Sequence, residues 1–275
     1  MSSLPITATI SVLCAREIPF SRKKGFMDFA MYCHIVDEMH DLKIPSIRLQ
    51  FYGEPLMHPR LFDMIQYAKE NELRVDFDTN GYLLTESICK KIIESGLDEL
   101  VISVHGMTRD DYRAVHKQDA FELVINNINT ILKIQNDLEA SAPAIVVQSA
   151  KMDANIQNFN RVHSLFSGAV HHSITHCGYN PHINTEDHRV QKYPYTRDVS
   201  CHSPYQMLAV SWDGDITICC ADVNFELTIG RIEDGLSQAW HSKRMWKLRE
   251  MHRKGIFPAV CRGCVDPVTY HRERI

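Results

Sequence analysis

The chain has 275 residues, of which 44% are hydrophobic, and this length suffices to bury one large core or a core with a small additional domain. Its 30 basic side chains nearly balance 34 acidic ones, so no broad positive field indicates a nucleic-acid partner. The sequence contains no apolar run of 18 residues and no basic segment ahead of an apolar stretch at its start, so neither a membrane span nor a secretory signal is predicted. We therefore expect a cytoplasmic protein without membrane or nucleic-acid partners, in a compartment that keeps thiols reduced.

Six short apolar segments, several of them rich in β-branched residues, predict β-strands. They are Ile6–Leu13, Ser46–Phe51, Arg74–Asp78, Glu99–Val104, Ala144–Gln148 and His172–His176. Segments with helical periodicity lie between them, and one helix is expected to begin at a capping box of Asp119 and Glu122. Strands that alternate with helices predict a parallel sheet with right-handed crossovers. Six such units fit either an open doubly wound sheet or an incomplete barrel.

The composition and periodicity of the sequence change after the sixth strand. Residues 178–200 are polar and lack a clear period, which predicts a linker. Two apolar segments, Leu208–Trp212 and Asp215–Cys219, then flank an Asp-Gly pair, and this pattern predicts a β-hairpin. One helix is expected from about Ser237 to Lys254.

Five of the nine cysteines crowd into the last quarter of the chain, which in a reducing compartment favours metal binding over disulfides. Cys261 and Cys264 have the spacing of a CxxC knuckle, which places two thiolates on one centre. Cys201 and Cys219 are the natural further ligands, and the adjacent Cys220 is expected to be a spectator. Four thiolates suit Zn²⁺ and an iron–sulfur cluster equally well.

This C-terminal region resembles the SPASM or twitch extension of radical S-adenosylmethionine (radical SAM) enzymes. The resemblance is carried by Cys201-His-Ser-Pro, by Gly214 followed five residues later by Cys219, and by the final CxxC. In that family the extension holds auxiliary 4Fe–4S clusters. The resemblance therefore implies one auxiliary 4Fe–4S cluster here, and it favours iron–sulfur over zinc.

The N-terminal part resembles the radical SAM core, a partial (βα)6 TIM-like barrel with its ligand site at the C-terminal ends of the strands. The segment Tyr52-Gly53-Glu54-Pro55 is similar to the GGEP motif that contacts the amino group of S-adenosylmethionine, although Tyr52 replaces the first glycine. The family places further polar residues at successive strand ends. By this resemblance the cofactor-binding residues are Gly53, Glu54, Pro55, Thr79, Asn80, Ser103 and Gln148.

The defining Cys-x3-Cys-x2-Cys motif of the family is incomplete. Cys14 resembles the third cysteine, and counting back places Thr7 and Ser11 at the other two positions. One thiolate cannot hold the cluster that binds and cleaves S-adenosylmethionine, so the sequence alone predicts neither that cluster nor the cleavage of S-adenosylmethionine. Three explanations stay open: a degenerate member, a start that omits an upstream region, or introduced substitutions.

Histidines near the strand ends are further candidates for the site. His171 and His172 are adjacent on the sixth strand, so only one of them can face a given side of the sheet. His105 follows Ser103 by two residues and has a similar prospect of facing the site.

The expected organisation is a barrel domain at 1–177, a linker at 178–200 and a SPASM or twitch-like domain at 201–275. By resemblance the protein modifies a peptide, sugar or small metabolite by radical chemistry, and an active enzyme needs an electron donor such as a ferredoxin or flavodoxin. Two alternatives stay open. One is a pseudoenzyme that acts as a binding module, and the other is a binding protein braced by zinc.

Overall fold

The structure is a computed structural model, and it describes residues 7–10, 21–51, 53–166, 171–176, 190, 201–220, 222–262, 264 and 273–274. The backbone divides into two compact units. Unit 1 comprises residues 1–76, 180–185 and 195–264, and unit 2 comprises residues 77–179, 186–194 and 265–275. Among the described residues, no helix is long and apolar enough to cross a membrane.

The described strands, in chain order, are β1 (Thr7–Ile10), β2 (Ser46–Arg48), β3 (Arg74–Thr79), β4 (Glu99–Ser103), β5 (Ala144–Lys151), β6 (His171–His176), β7 (Met207–Val210), β8 (Asp215–Thr217), β9 (Gly230–Arg231) and β10 (Glu273–Arg274). The α-helices are α1 (Phe29–Asp41), α2 (Leu61–Glu70), α3 (Glu86–Glu94), α4 (Arg109–His116), α5 (Phe121–Asp137), α6 (Ser203–Gln206), α7 (Leu236–Trp240) and α8 (Lys243–Arg253).

The sheet of unit 1 joins strands from both ends of the chain. β1 lies between β2 and β7 and pairs in parallel with both, while β2 also pairs in parallel with the start of β3. The hairpin strand β8 pairs antiparallel with β7, and β9 pairs antiparallel with β8. The C-terminal hairpin therefore extends the same sheet that the N-terminal strand begins.

Unit 2 contains the parallel strands β4, β5 and β6, with β10 antiparallel to β6. The face of β6 that carries Ile174 is covered by Met107, Phe159 and Val162. Burial of such apolar side chains, at roughly 25 cal/mol per Å² of apolar surface, is the main force that holds the strands against their helices.

Local sequence signals explain where two of the helices begin. Asp28 caps α1 because its Oδ1 accepts hydrogen bonds from the backbone N–H groups of Ala30 and Met31. Thr85 caps α3 in the same way through Ile88. Each cap satisfies donors that the first helical turn leaves without a partner.

The six strands predicted in the first part of the chain are confirmed, with no end shifted by more than three residues. The predicted hairpin is confirmed as β7 and β8, and Gly214 adopts the positive φ of +94° that the turn requires. The predicted linker at 178–200 lies outside the described residues except for Val190, so the domain boundaries stay a prediction.

Two predictions about helices were wrong. Asp119 does not cap a helix, because both of its carboxylate oxygens accept hydrogen bonds from Arg109, and α5 begins after Ala120 without a side-chain cap. The single helix expected from Ser237 to Lys254 is two helices, because Ser242 leaves helical geometry and caps α8 through Met245. The helix α4 was not predicted at all.

Candidate functional site

The turn after β2 carries the residues that resemble the GGEP motif. Glu54 is buried, at 8% exposure, and its Oε1 accepts a hydrogen bond from the N–H of Leu56 at 3.2 Å. Pro55 begins a short 3-10 helix, where its lack of an N–H group costs nothing. The carboxylate is thereby held at a fixed point beyond the end of the strand.

His58 fixes the far side of this turn. Its Nδ1 accepts from the N–H of Arg60 and its Nε2 donates to the carbonyl of Met27, both at 3.1 Å. Burial lowers the pKa of His58, so the ring is held in the neutral form that these two hydrogen bonds require. The segment from Glu54 to Arg60 is therefore ordered by its own polar groups.

The turn after β3 uses the oxygens of the two predicted site residues for its own structure. Thr79 Oγ1 accepts from the N–H of Gly81, and Asn80 Oδ1 accepts from the N–H of Tyr82. Gly81 has a φ of +78°, and an added Cβ would lie 3.0 Å from Val124, so the turn needs glycine. Thr79 and Asn80 thus shape the strand end, whatever else they contact.

Three polar side chains lie in one row across the parallel strands of unit 2. Ser103 of β4 pairs with Gln148 of β5, and Gln148 pairs with Ser173 of β6. Paired residues on neighbouring strands face the same side of a sheet. The structure therefore brings the predicted Ser103 and Gln148 together and adds Ser173, which the sequence analysis missed because strand register is not visible in one sequence.

The two histidines of β6 face opposite sides of the sheet. His171 lies in a row with Val101 and Val146 on the side that carries Ser173, and its side chain is exposed. His172 is buried, with its ring 6.1 Å from that of Phe166. Of the two histidines, His171 is the one on the open side of the sheet.

His105, just beyond β4, stacks on His116 of α4 with ring centroids 5.5 Å apart. The N–H of Ala150 donates to Nδ1 of His105, and the N–H of His105 donates to Nε2 of His116. Burial lowers the pKa of His105 to about 3, with a smaller effect from His116, and burial lowers the pKa of His116 to about 4. Both rings are therefore neutral hydrogen-bond acceptors at neutral pH.

Asn155 joins this histidine pair to the end of β5. It is fully buried, and its amide donates to the carbonyls of His105 and Ala150, while its oxygen accepts from the N–H of Met152. The side chain thereby satisfies hydrogen-bonding groups of three backbone positions near the ends of β4 and β5.

Three of the four predicted metal ligands are buried thiols. Cys201, Cys261 and Cys264 are 7% to 8% exposed, and Cys219 is half-buried. The N–H of Cys264 donates to the carbonyl of Cys261 at 3.3 Å, which closes the CxxC turn. The Sγ atom of Cys261 lies 3.9 Å from Nε2 of the buried His252.

Cys220 has a different environment. It packs against an apolar cluster of Phe51, Ala209 and Phe225, as expected of a spectator thiol. The loop that follows is ordered by Asp222, which is 1% exposed and accepts hydrogen bonds from Thr217 Oγ1 and from the N–H groups of Glu226 and Leu227. The sequence analysis missed this role of Asp222.

Within the described part of the chain, no three His, Cys, Asp or Glu side chains form a group that could hold a metal ion. The chemistry and burial of the four cysteines suit a thiolate-bound cluster, but their arrangement does not itself assemble one. Ser11 and Cys14 lie outside the described residues. Thr7 lies inside β1, paired with Ser46 on one side and Met207 on the other, rather than in a loop after the strand.

The segment at 21–27 is fastened to the C-terminal hairpin. Arg22 forms ion pairs with Asp213 at 2.6 Å and with Asp215 at 2.7 Å, and its guanidinium lies 4.6 Å from the ring centroid of Phe225. The indole Nε1 of Trp212 donates to the carbonyl of Lys23. These contacts fix the chain that leads into α1.

The fold and these residues define an α/β protein with polar strand ends and a cysteine-rich C-terminal extension. A family model described as "Radical SAM superfamily" matches residues 12–142, and one described as "Iron-sulfur cluster-binding domain", SPASM, matches residues 201–265. The chain therefore contains a radical SAM domain and a C-terminal SPASM domain. Its fold is the α/β partial TIM-like barrel of that superfamily.

A curated relative that aligns over most of this chain is the S-adenosyl-L-methionine-dependent 2-deoxy-scyllo-inosamine dehydrogenase of Niallia circulans, 22% identical over 91% of this chain and 85% of the relative. The first two curated relatives align over only 31% and 42% of their own lengths.

Among solved structures, BtrN in complex with AdoMet and 2-DOIA matches with a TM-score of 0.62 and 18% identity, over 97% of this chain and 95% of that one. Streptococcus suis SuiB bound to the precursor peptide SuiA matches with a TM-score of 0.55 and 13% identity, over 90% of this chain and 67% of that one. At these identities the two likenesses show the fold alone.

Proposed function

We propose that this protein binds S-adenosylmethionine at the C-terminal ends of its parallel strands and modifies a small molecule or peptide by radical chemistry. Bound to a reduced iron–sulfur cluster, S-adenosylmethionine supplies a 5′-deoxyadenosyl radical in this superfamily. The observation that carries the proposal is the row of Ser103, Gln148 and Ser173, which presents three polar side chains on one face of β4, β5 and β6.

The proposed roles of the chain's own residues follow from their chemistry. The buried carboxylate of Glu54 is proposed to accept hydrogen bonds from the ammonium of the methionine moiety, with Gly53 and Pro55 setting the turn. Ser103 and Gln148 are proposed to hydrogen-bond the ribose and carboxylate, with Thr79 and Asn80 holding the neighbouring strand end. Ser173 and His171 share their face and are proposed to contact the substrate.

The four C-terminal cysteines are proposed to hold one auxiliary 4Fe–4S cluster. Cys261 and Cys264 supply two thiolates from one turn, and Cys201 and Cys219 supply the others. Soft thiolates are the ligands that iron–sulfur clusters require, and burial keeps water from the cluster.

The test of ligand binding is calorimetric titration of S-adenosylmethionine into the full chain after anaerobic reconstitution. We expect Ser103→Ala and Gln148→Ala each to weaken binding about tenfold, which corresponds to roughly one lost hydrogen bond at 1.4 kcal/mol. Thr130→Ala removes an exposed hydroxyl of α5 in the same unit and serves as the control, with unchanged affinity. Wild-type protein that binds no S-adenosylmethionine contradicts the proposal.

The test of the cluster is the content of iron, acid-labile sulfide and zinc per chain. The proposed radical chemistry requires a second cluster, whereas the C-terminal cluster alone accounts for about four irons per chain. Cys264→Ser should abolish that iron, whereas the matched substitution of the spectator, Cys220→Ser, should preserve it. Zinc without iron would favour the zinc-braced alternative, and about eight irons would mean that a second cluster assembles.

A second candidate is a pseudoenzyme that binds S-adenosylmethionine without cleaving it. It is favoured by the position of Thr7 inside β1, since a residue paired on both sides is not placed to hold a cluster. Assays of 5′-deoxyadenosine with dithionite as reductant separate the two candidates. Formation of 5′-deoxyadenosine supports the enzyme, and binding without formation supports the pseudoenzyme.

A further inference from the structure

The helix α8 and the residue after it concentrate positive charge. Residues 243–254 contain six Lys or Arg side chains and one acid, Glu250, although the whole chain has a net charge of −4. The rest of the chain therefore carries a net charge of −9. A basic segment on an otherwise acidic protein creates a local positive potential that a negative partner can follow.

The outer face of α8 combines this charge with an aromatic side chain. Trp246 is 67% exposed, the largest value among the exposed large hydrophobic residues of the described ranges. Trp246 and Lys247 follow Lys243 by three and four residues, so the three side chains lie on one face of the helix, and within the described part of the chain neither lysine forms an ion pair. Glu250 is already occupied by Arg253 and Lys254. Tryptophan is one of the residues enriched at interface hot spots, and the lysines add positive charge to the surface around it.

The inner face of α8 is locked in place. Arg249 lies over the ring of Trp240 at 4.1 Å and donates to the carbonyl of Pro204, three residues after Cys201 in the sequence. The hydroxyl of Tyr205 donates in return to the carbonyl of Arg249. The helix therefore presents a pre-formed surface, so little conformational entropy is lost when a partner docks there.

The same helix reaches the cysteines on its inner side. His252 is six residues beyond Trp246, about 9 Å along the helix axis, and its ring contacts the Sγ atom of Cys261. The exposed cationic face and the contact with Cys261, a proposed cluster ligand, thus lie on different sides of one short helix.

We propose that the outer face of α8, formed by Lys243, Trp246 and Lys247, is the docking surface for an acidic electron-carrier protein. Charge complementarity selects an acidic partner, and the contact of His252 with Cys261 selects a redox partner among acidic proteins. The choice of a redox partner rests on the proposed function, because it assumes a cluster at the C-terminal cysteines. A nucleic acid fits less well, because the negative charge on the rest of the chain repels an extended polyanion.

The test is binding of the full, anaerobically reconstituted chain to two acidic probes, a flavodoxin and a ferredoxin, in low salt. We expect at least one probe to bind, with affinity that falls steeply between 50 and 300 mM NaCl, conditions chosen to shorten the Debye length. Lys243→Glu with Lys247→Glu should weaken that binding at least tenfold, and Trp246→Ala should weaken it severalfold. Lys90→Glu with Lys133→Glu makes the same charge change on α3 and α5 and should leave binding unchanged.

Several outcomes would overturn this assignment. One is that neither probe binds, and another is that the control variant loses as much affinity as the α8 variant. A third is tighter binding to a 20-nucleotide single-stranded RNA through the same lysines. A fourth is a dimer in sedimentation that dissociates when α8 is substituted. Turnover with dithionite tests the proposed function separately. Variants of α8 that lose probe binding but keep turnover with dithionite support the docking surface. Wild-type protein that binds a probe but shows no turnover contradicts the proposed function and leaves the docking surface supported.

Discussion

Gly25 lies flat against the indole of Trp212: a Cβ atom at position 25 would be 2.5 Å from Cε3 of that ring. The contact joins the chain ahead of α1 to the turn between β7 and β8, residues that are 187 positions apart in sequence. Trp212 is held by its own hydrogen bond to the carbonyl of Lys23, so the ring cannot yield without losing that bond.

Replacement of Gly25 by alanine should therefore destabilise the protein. We expect Gly25→Ala to lower the free energy of unfolding by about 1–3 kcal/mol, the usual cost of an overpacked site. Urea unfolding measures it. The double variant Gly25→Ala with Trp212→Ala should show less than the sum of the two single costs, since the clash disappears with the ring. Strict additivity would contradict the contact.

Loss of the Arg22 ion pairs should also weaken this connection. The side chains of Arg22 and Asp215 are only 21% and 20% exposed, so their pairing is less screened than a surface pair. We expect Arg22→Gln to cost about 1–2 kcal/mol of unfolding free energy, because charge-assisted hydrogen bonds are lost. The control is Lys90→Gln, which breaks an exposed pair with Glu86 and should cost much less, because water screens that pair. Similar losses in both variants would refute the distinction.

Stability should fall as the solution becomes acidic, because the pKa values of His105 and His116 are lowered to about 3 and about 4 in the folded protein. An unfolded histidine takes up a proton near pH 6.5, so the unfolded state binds more protons between about pH 6.5 and 4. The contribution of the two neutral rings to the free energy of unfolding is complete above pH 6.5. It is lost progressively below that pH, by about 1 kcal/mol per group and pH unit.

His116→Gln should reduce this pH dependence, since glutamine keeps a hydrogen-bond acceptor but does not titrate. The measurement is unfolding free energy at pH 7.5 and pH 5. Thr130→Ala removes no titratable group and should leave the dependence as it is in the wild type. An unchanged slope in His116→Gln would show that this ring titrates normally.

Asp222 should be more important than its ordinary appearance in the sequence indicates. Its carboxylate satisfies three donors in a buried loop, so Asp222→Ala should cost about 2–4 kcal/mol. Because the loop follows Cys219 and Cys220, we also expect reduced iron content. The exposed Asp234→Ala serves as the control in both the unfolding and iron assays, and equal effects in the two variants would contradict this role.

The sequence predicted those features whose signals are local. The six strands were found because their β-branched runs end at turn residues, and the Asp213-Gly214 pair located the hairpin. The motif residues Glu54, Ser103 and Gln148 were found by resemblance. Ser103 is the last residue of β4 and Glu54 lies in the turn beyond β2, but Gln148 lies inside β5, three residues before its end, because that strand is longer than its apolar run predicted.

The remaining features depend on contacts between distant residues or on weak patterns. Helix α4 was not predicted because it buries only Asp111 and Tyr112 and shows no apolar period. Asp119 is an equally good helix cap by composition, yet the nearby Arg109 takes its carboxylate. Ser173 joins the polar row only through the register of β5 and β6, which no spacing in one sequence reveals.

The place of β1 has a consequence for synthesis of the chain. This strand has four residues, and it pairs with β2 on one edge and with β7, some 200 residues later, on the other. A ribosome must therefore translate most of the message before the N-terminal strand is covered on both edges. Until then the nascent protein exposes an unpaired strand edge, and such edges recruit other chains into aggregates. Expression of fragments that stop before Met207 should consequently yield inclusion bodies, whereas chains that include the hairpin should be recovered in the supernatant.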